Sequence, residues 1–116
     1  MLRIKRAYEK AEPADGFRVL VDRLWPRGMK KEAAKIDLWM KEVAPSDGLR
    51  KSFGHDVKKW PDFQKKYRAE LRKKTDLLAE LKKKEEEHGT LTLLFGARDP
   101  EHNQAVVLAE ALRRKE

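Results

Sequence analysis

The chain has 116 residues, the size of a single domain with a modest core and no room for a second. Its 28 basic and 20 acidic residues leave a net charge of +8, and its apolar and charged fractions are nearly equal at 40% and 41%. The absence of cysteine excludes disulfides, thiolate catalysis and cysteine-based zinc sites, and no apolar run approaches the roughly 20 residues that span a bilayer.

Three Trp residues, with many Leu, Val and Ile, argue for a folded core rather than disorder. The segment Met1–Arg6 lacks an apolar stretch of signal-peptide length. A cytoplasmic protein with no membrane partner is therefore expected. The positive charge is compatible with an anionic small ligand, with nucleic acid, or with a solvated Lys/Glu surface.

In chain order, Leu2 and Ile4, with Ala7 or Tyr8, alternate with Arg3, Lys5 and Arg6. Period-two alternation predicts a short strand with one wet face. Pro13, Asp15 and Gly16 mark a loop. Phe17 to Leu24 reads as a strand covered on both faces, because its apolar run is nearly continuous. Pro26 and Gly28 end it. Lys30 to Ala34 is expected to form a helical turn. Ile36, Trp39, Met40 and Val43 fall at i, i+3, i+4 and i+7, which predicts one face of a helix capped by Asp37. Pro45 stops that helix, and Ser46 caps a short one that ends at Gly54.

Trp60-Pro61 opens a longer helix with Phe63, Tyr67 and Leu71 on its buried face. Thr75-Asp76 reads as a fresh cap for a helix with Leu77, Leu78 and Leu81 inward, ending at Gly89. Leu91 to Phe95 is a second buried strand. Asp99 and Pro100 are expected to start the last helix, whose apolar side is Ala105, Val106, Leu108, Ala109 and Leu112. Long connections between apolar strands imply parallel crossovers. The expected fold is α/β: a single compact domain over residues 1–116, with a small, mostly parallel sheet and helices packed on it.

Ligands of open parallel sheets bind outside the carboxyl ends of the strands. That rule singles out Asp22, Arg23, Arg27, Arg98 and Asp99 as a candidate site, with Trp25 as a pocket wall. Arginine forks suit phosphate or carboxylate, and a helix start after Asp99 would add free N–H groups. The same residues also allow a purely structural role, in which Asp22 pairs with Arg98 or Arg23 and Asp99 only caps its helix. His55 and His102 are candidate acid/base groups, because histidine is the residue type suited to proton transfer at physiological pH, and Asp22 stands alongside them. No histidine pair has the i, i+4 spacing of a helical metal site, so no metal is assigned, and nothing indicates a particular cofactor.

Two further patterns separate the uses of the charge. Lys65 to Glu87 holds nine basic and six acidic residues and reads as a solvated helix surface. Met1 to Lys31 holds nine basic and only four acidic residues, so the excess lies in the section leading to the candidate site. Aromatics do not alternate with the basic residues as in nucleic-acid tracks.

The stretch Gly16-Phe17-Arg18-Val19-Leu20-Val21-Asp22-Arg23-Leu24-Trp25-Pro26-Arg27-Gly28 resembles the signature of the YeaO-like branch of the domain of unknown function 488 family. Ile36 to Trp39, Ala44 to Ser46, Phe53-Gly54-His55-Asp56, and Leu93 to Asp99 with His102-Asn103 match as well. The resemblance covers nearly the whole chain. It implies a compact cytoplasmic α/β domain with no established activity. The wider family often carries a Cys and a Cys-His-Arg segment around its last strand and helix. The matching places here hold Phe95 and His102-Asn103-Gln104, so no thiol chemistry carries over.

The resulting expectation is a domain that binds a small anionic, phosphorylated ligand. Arg23, Arg27 and Arg98 would hold the anion, with Trp25, Asp99 and Asn103 beside it. Asp22, His55 or His102 would act if a reaction occurs. The alternatives are nucleic-acid binding through the basic N-terminal face, or a structural partner-binding module. The oligomeric state is left open.

Overall fold

A computed structural model describes residues 1–114. They form a four-stranded sheet in the order β1-β4-β2-β3, parallel at every pairing. The strands are β1 (Leu2–Arg6), β2 (Phe17–Leu20), β3 (Leu38–Trp39) and β4 (Leu91–Phe95). The helices are α1 (Lys31–Ala34), α2 (Asp47–Phe53), α3 (Trp60–Leu71), α4 (Thr75–His88) and α5 (Gln104–Arg113). The expected α/β domain is thus present. Among the described residues no helix is long and apolar enough to cross a membrane.

β4 is the hub. All five of its residues are buried, and it pairs with β1 on one side and β2 on the other. Leu91, Leu93 and Phe95 point into the main core with Val19, Leu49, Phe53, Phe63, Tyr67, Leu71, Leu81 and the inner side of α5. That core places α2 to α5 on one face of the sheet. On α5 the buried residue is Val107 rather than the expected Val106. Leu94 points the other way, into a small cluster with Ala7, Leu20, Trp25, Met29, Ile36 and Trp39. This second face is covered only by α1 and irregular segments.

The segment expected as a helix over Ile36 to Val43 is instead β3 followed by a 3-10 turn, Lys41–Val43. The edge of β2 has backbone groups to satisfy, and this segment satisfies them. Asp37 N–H donates to Arg18 O at 2.8 Å, Met40 N–H donates to Leu20 O at 2.9 Å, and Arg18 N–H donates to the Asp37 carboxylate at 2.8 Å. Asp37 therefore serves the sheet and not a helix. The apolar side chains split between the faces: Leu38 and Met40 join the main core, Ile36 and Trp39 the small cluster. A local spacing of 3.6 was overridden by tertiary pairing.

The short helices follow their local signals. Ser46 Oγ accepts the Leu49 N–H at 3.3 Å, and Gly54 ends α2 at φ 54°, ψ 30°. The cap expected at Thr75-Asp76 is not made: Thr75 is the first residue of α4, and Lys74 at the cap position makes no side-chain hydrogen bond.

The exposed strand face predicted for Arg3 and Lys5 is corrected by the structure. Lys5 and Arg18 are 7% and 4% exposed, and Asp15 is fully buried between them. The loop after β1 folds back over the sheet and delivers Asp15 to this face. Its carboxylate pairs with Lys5 at 3.2 Å, with Arg3 at 3.4 Å and closely with Arg18, and accepts the Glu12 N–H at 3.0 Å. Arg18 also donates to the carbonyls of Ala34 and Lys35, fixing α1. Burial pushes the Asp15 carboxyl up, but the Glu12 N–H, Lys5 and Arg18 together leave it below its ordinary value. Its stabilising contribution is therefore present above the ordinary carboxylate range and lost as pH falls through the folded value.

Asp15→Ala leaves buried cations without their partner, so unfolding stability should drop by roughly 3–5 kcal/mol. Urea denaturation at neutral pH measures this directly. A loss no larger than that of an exposed ion pair would mean the network contributes little.

Candidate functional site

β1 connects to β2, and β2 to β3, by chain lying over the thinly covered face. The return from β3 to β4 runs through α2, α3 and α4 on the helical face. Reversing direction while changing face keeps one crossover hand. Beyond the carboxyl ends of the neighbouring strands β2 and β4, the chain therefore departs to opposite faces, and a crevice opens between them. Ligands of such sheets bind at this kind of switch point. A cleft of about 360 Å³ lies there. Asp22, Gly96, Asn103 and Gln104 are buried or half-buried and form its inner end, and Trp25, Pro26, Arg27, Phe53, Gly54 and His55 are among the other lining residues.

β2 was expected to reach Leu24 but stops at Leu20, and Asp22 stands two residues beyond that end. Pairing lasts one residue past the strand, where Val21 N–H donates to Leu94 O at 3.0 Å. The Gly96 N–H then goes to the Asp22 carboxylate at 2.8 Å rather than to backbone. The Gln104 amide donates closely to the other carboxylate oxygen. A Cβ on Gly96 would sit 2.8 Å from Asp22 Oδ2, so a larger residue there would have to displace the carboxylate. Burial raises the Asp22 carboxyl from 3.8 to about 6, even though the Gly96 N–H, the Gln104 amide and the charge of His55 all pull it back. The anticipated pairing with Arg23 or Arg98 is not made; both hydrogen-bond donors to Asp22 are neutral.

Seven of the nine residues anticipated from sequence line the cleft: Asp22, Arg23, Trp25, Arg27, His55, His102 and Asn103. Arg23 is already engaged, donating to Pro45 O at 3.1 Å and Ala44 O at 3.3 Å. It ties the end of β2 to the start of α2. Trp25 donates to Met29 O at 2.7 Å and meets Trp39 edge-on at 5.4 Å. Arg27 is exposed at the mouth, and its carbonyl accepts the Tyr8 hydroxyl at 2.9 Å. His55 has φ 60°, a left-handed conformation uncommon for a residue with a side chain. It follows the helix stop at Gly54.

Arg98 and Asp99 lie outside the cleft lining. The reason is where the last helix begins. Asn103, not Asp99, caps α5: its side chain accepts the Val106 N–H at 3.2 Å and donates to Asp99 O at 2.9 Å. Asp99 caps the preceding turn, accepting the N–H groups of Glu101 and His102 at 2.9 and 3.2 Å. Its other carboxylate oxygen holds His102 Nδ1 at 2.8 Å. The His102 ring also packs edge-on against Trp60 at 5.3 Å. The proline and aspartate that suggested a helix start thus build the loop that carries His102 to the cleft.

Sequence reasoning missed Tyr8, Arg50, Lys51, Gly96 and Gln104 in the lining. Arg50 and Lys51 sit on the exposed side of α2, where single basic residues carry no distinguishing signal. Gln104 follows the cap of α5 and is recognisable only once Asp22 is known to face it. No group of three or more metal-ligating side chains is found among the described residues.

Asp22 shows the shift that burial by itself gives a carboxylate. Its folded value lies above the unfolded one, so the folded state holds the extra proton between about pH 4 and 6 and loses stability as pH rises through that window. The gap from 3.8 to about 6 corresponds to a cost of up to roughly 3 kcal/mol at neutral pH. Asp22→Asn keeps an acceptor for Gly96 and should be more stable than wild type at pH 7, with the difference closing below about pH 4. Thermal denaturation against pH checks this; a variant less stable at neutral pH would show that the ionised carboxylate supports the fold.

The profile describing the inactive DUF488-N3 subclade matches residues 1–116. The chain is 44% identical over 115 residues to the uncharacterised protein YeaO of Escherichia coli K12, covering 97% of this chain and 96% of that one. It is 38% identical over 111 residues to the uncharacterised proteins Rv3073c of Mycobacterium tuberculosis H37Rv and Mb3100c of Mycobacterium bovis, covering 96% of this chain and 92% of each. No solved structure matches at a significant level. Matched over its full length by the profile and over nearly all of it by YeaO, the chain belongs to the YeaO-like DUF488 family, in the subclade described as inactive.

Proposed function

We propose that the cleft binds a small anionic ligand carrying a phosphate group, and holds it rather than turning it over. The observation that carries this reading is the set of cationic side chains around one opening. Arg23, Arg27, Arg50 and Lys51 all line the cleft, against a single carboxylate, Asp22. Guanidinium forks match phosphate oxygens in pairs. A cleft of about 360 Å³ suits a small molecule. Binding without turnover agrees with the subclade's description as inactive and with the absence of cysteine. That same absence suits a reducing compartment, and a cytoplasmic location is part of this reading.

The cations divide by role. Arg23 holds two carbonyls and positions the wall. Arg27 and Lys51 stand exposed at the mouth, and Arg50 beside them is 42% exposed with an ion pair to Asp47 at 3.3 Å. His102, oriented by Asp99, is the group that would move a proton if a bound ligand reacts.

Calorimetric titration with inorganic phosphate and pyrophosphate tests this reading. Wild type should bind, and the double variant Arg27→Ala, Arg50→Ala should lose about tenfold or more in affinity, since each charge-assisted hydrogen bond contributes about 1.5–3 kcal/mol. Arg23→Ala should lower thermal stability as well as affinity. Unchanged binding in the double variant would remove the assignment. Stabilisation by oligonucleotides alone, abolished by salt, would favour the nucleic-acid alternative instead.

A further inference from the structure

The cleft is polar in two opposite senses, and the order matters. Its inner end presents the Asp22 carboxylate, fixed by the Gly96 N–H at 2.8 Å and by Gln104, with no cation bonded to it. Asn103 beside it is 2% exposed, with its amide occupied by the Asp99 carbonyl and its oxygen by the Val106 N–H. It has little left to offer an anion. The cations Arg27, Arg50 and Lys51 are exposed, at the outer end. Trp25, Pro26 and Phe53 add apolar surface to the same lining. A phosphate pushed to the inner end would meet a carboxylate in a poorly hydrated place, where like charges repel strongly. A phosphate at the mouth would meet the cations.

We infer that the ligand is bipolar: an uncharged hydroxyl-bearing portion, a polyol or sugar, enters first and donates to Asp22, while its phosphate stays at the mouth against Arg27, Arg50 and Lys51. This inference rests on the anion-binding reading and names the ligand class within it. A hydroxyl fits better than an ammonium group, because the cleft as a whole already holds four basic side chains and two histidines against one carboxylate. The apolar walls match the C–H surface of a carbon chain or sugar ring. The partial burial that raises the Asp22 carboxyl to about 6 also means that water serves it poorly, so a donated hydroxyl gains more there than in solution.

The test uses the whole protein and three probes of one charge type: inorganic phosphate, methyl phosphate and ribose 5-phosphate, with free ribose as the uncharged control. Calorimetry at neutral pH should give ribose 5-phosphate about tenfold tighter binding than the other two phosphates, the worth of one hydrogen bond to a charged group. Free ribose alone should bind far more weakly than ribose 5-phosphate. Asp22→Ala should bring ribose 5-phosphate down to the level of methyl phosphate and leave methyl phosphate no weaker. Equal affinities for all three phosphates in wild type would overturn the bipolar ligand while leaving anion binding intact. Failure of every phosphate to bind would overturn both. The comparison among probes needs no variant, so it stands even if Asp22→Ala folds poorly.

Discussion

The insertion of β4 between β1 and β2 is the constraint from which the rest of the structure follows. β4 is buried on both sides and hydrogen-bonded along both edges, so it can lie only at the centre. β1 and β2, close in sequence, are thereby held one strand apart. The chain must cross one face to link β1, β2 and β3 and return across the other to reach β4. That reversal opens the crevice at the carboxyl ends of β2 and β4. It also assigns the four longer helices to one face, leaving short segments to cover the other.

The thinly covered face is closed by unlike means at its two ends. Toward the carboxyl ends, Leu20, Leu94, Trp25 and Trp39 make a small apolar cluster. Toward the amino ends, Asp15 gathers Lys5, Arg3 and Arg18 under the loop. Such a network is a poor source of net stability, because desolvation offsets much of the attraction. Its value lies in geometry. Arg18 reaches the carbonyls of Ala34 and Lys35, and Thr92 donates to the Asp15 carbonyl at 2.6 Å, so loop, α1 and sheet are held in one arrangement. With only the single-turn α1 as a helix on this face, charged side chains take over the work of registering the loops.

Asp22 and Asp15 illustrate two fates of a buried carboxylate. Asp15 is surrounded by cations and ionises readily. Asp22 has neutral donors and is held back from ionising, although several basic residues line the same cleft. The Arg23 guanidinium next to it in sequence turns away to Pro45 and Ala44. The arrangement of Asp22, together with the left-handed His55, costs some stability at neutral pH.

Much of this was determined by sequence alone, wherever a local cause sufficed. The double burial of Leu91 to Phe95, the Ser46 cap and Gly54 stop of α2, and the four-residue repeat of Phe63, Tyr67 and Leu71 are written in neighbouring residues. So was the location of the cleft, because apolar strands that end on Asp22 and Gly96 deliver them to one edge of a parallel sheet. Tertiary structure decided the rest, where two local solutions compete and only distant partners choose. Ile36 to Val43 has helical spacing, yet the open edge of β2 made it a strand. Arg3 and Lys5 alternate like solvent-facing residues, yet a loop brought Asp15 over them. Asp99 and Asn103 can each cap a helix, and the path from Phe95 up to the helical layer selected Asn103. Arg50, Lys51 and Gln104 look like ordinary surface residues in sequence, since only the packing of α2 and α5 beside the end of β2 turns their positions toward one cleft.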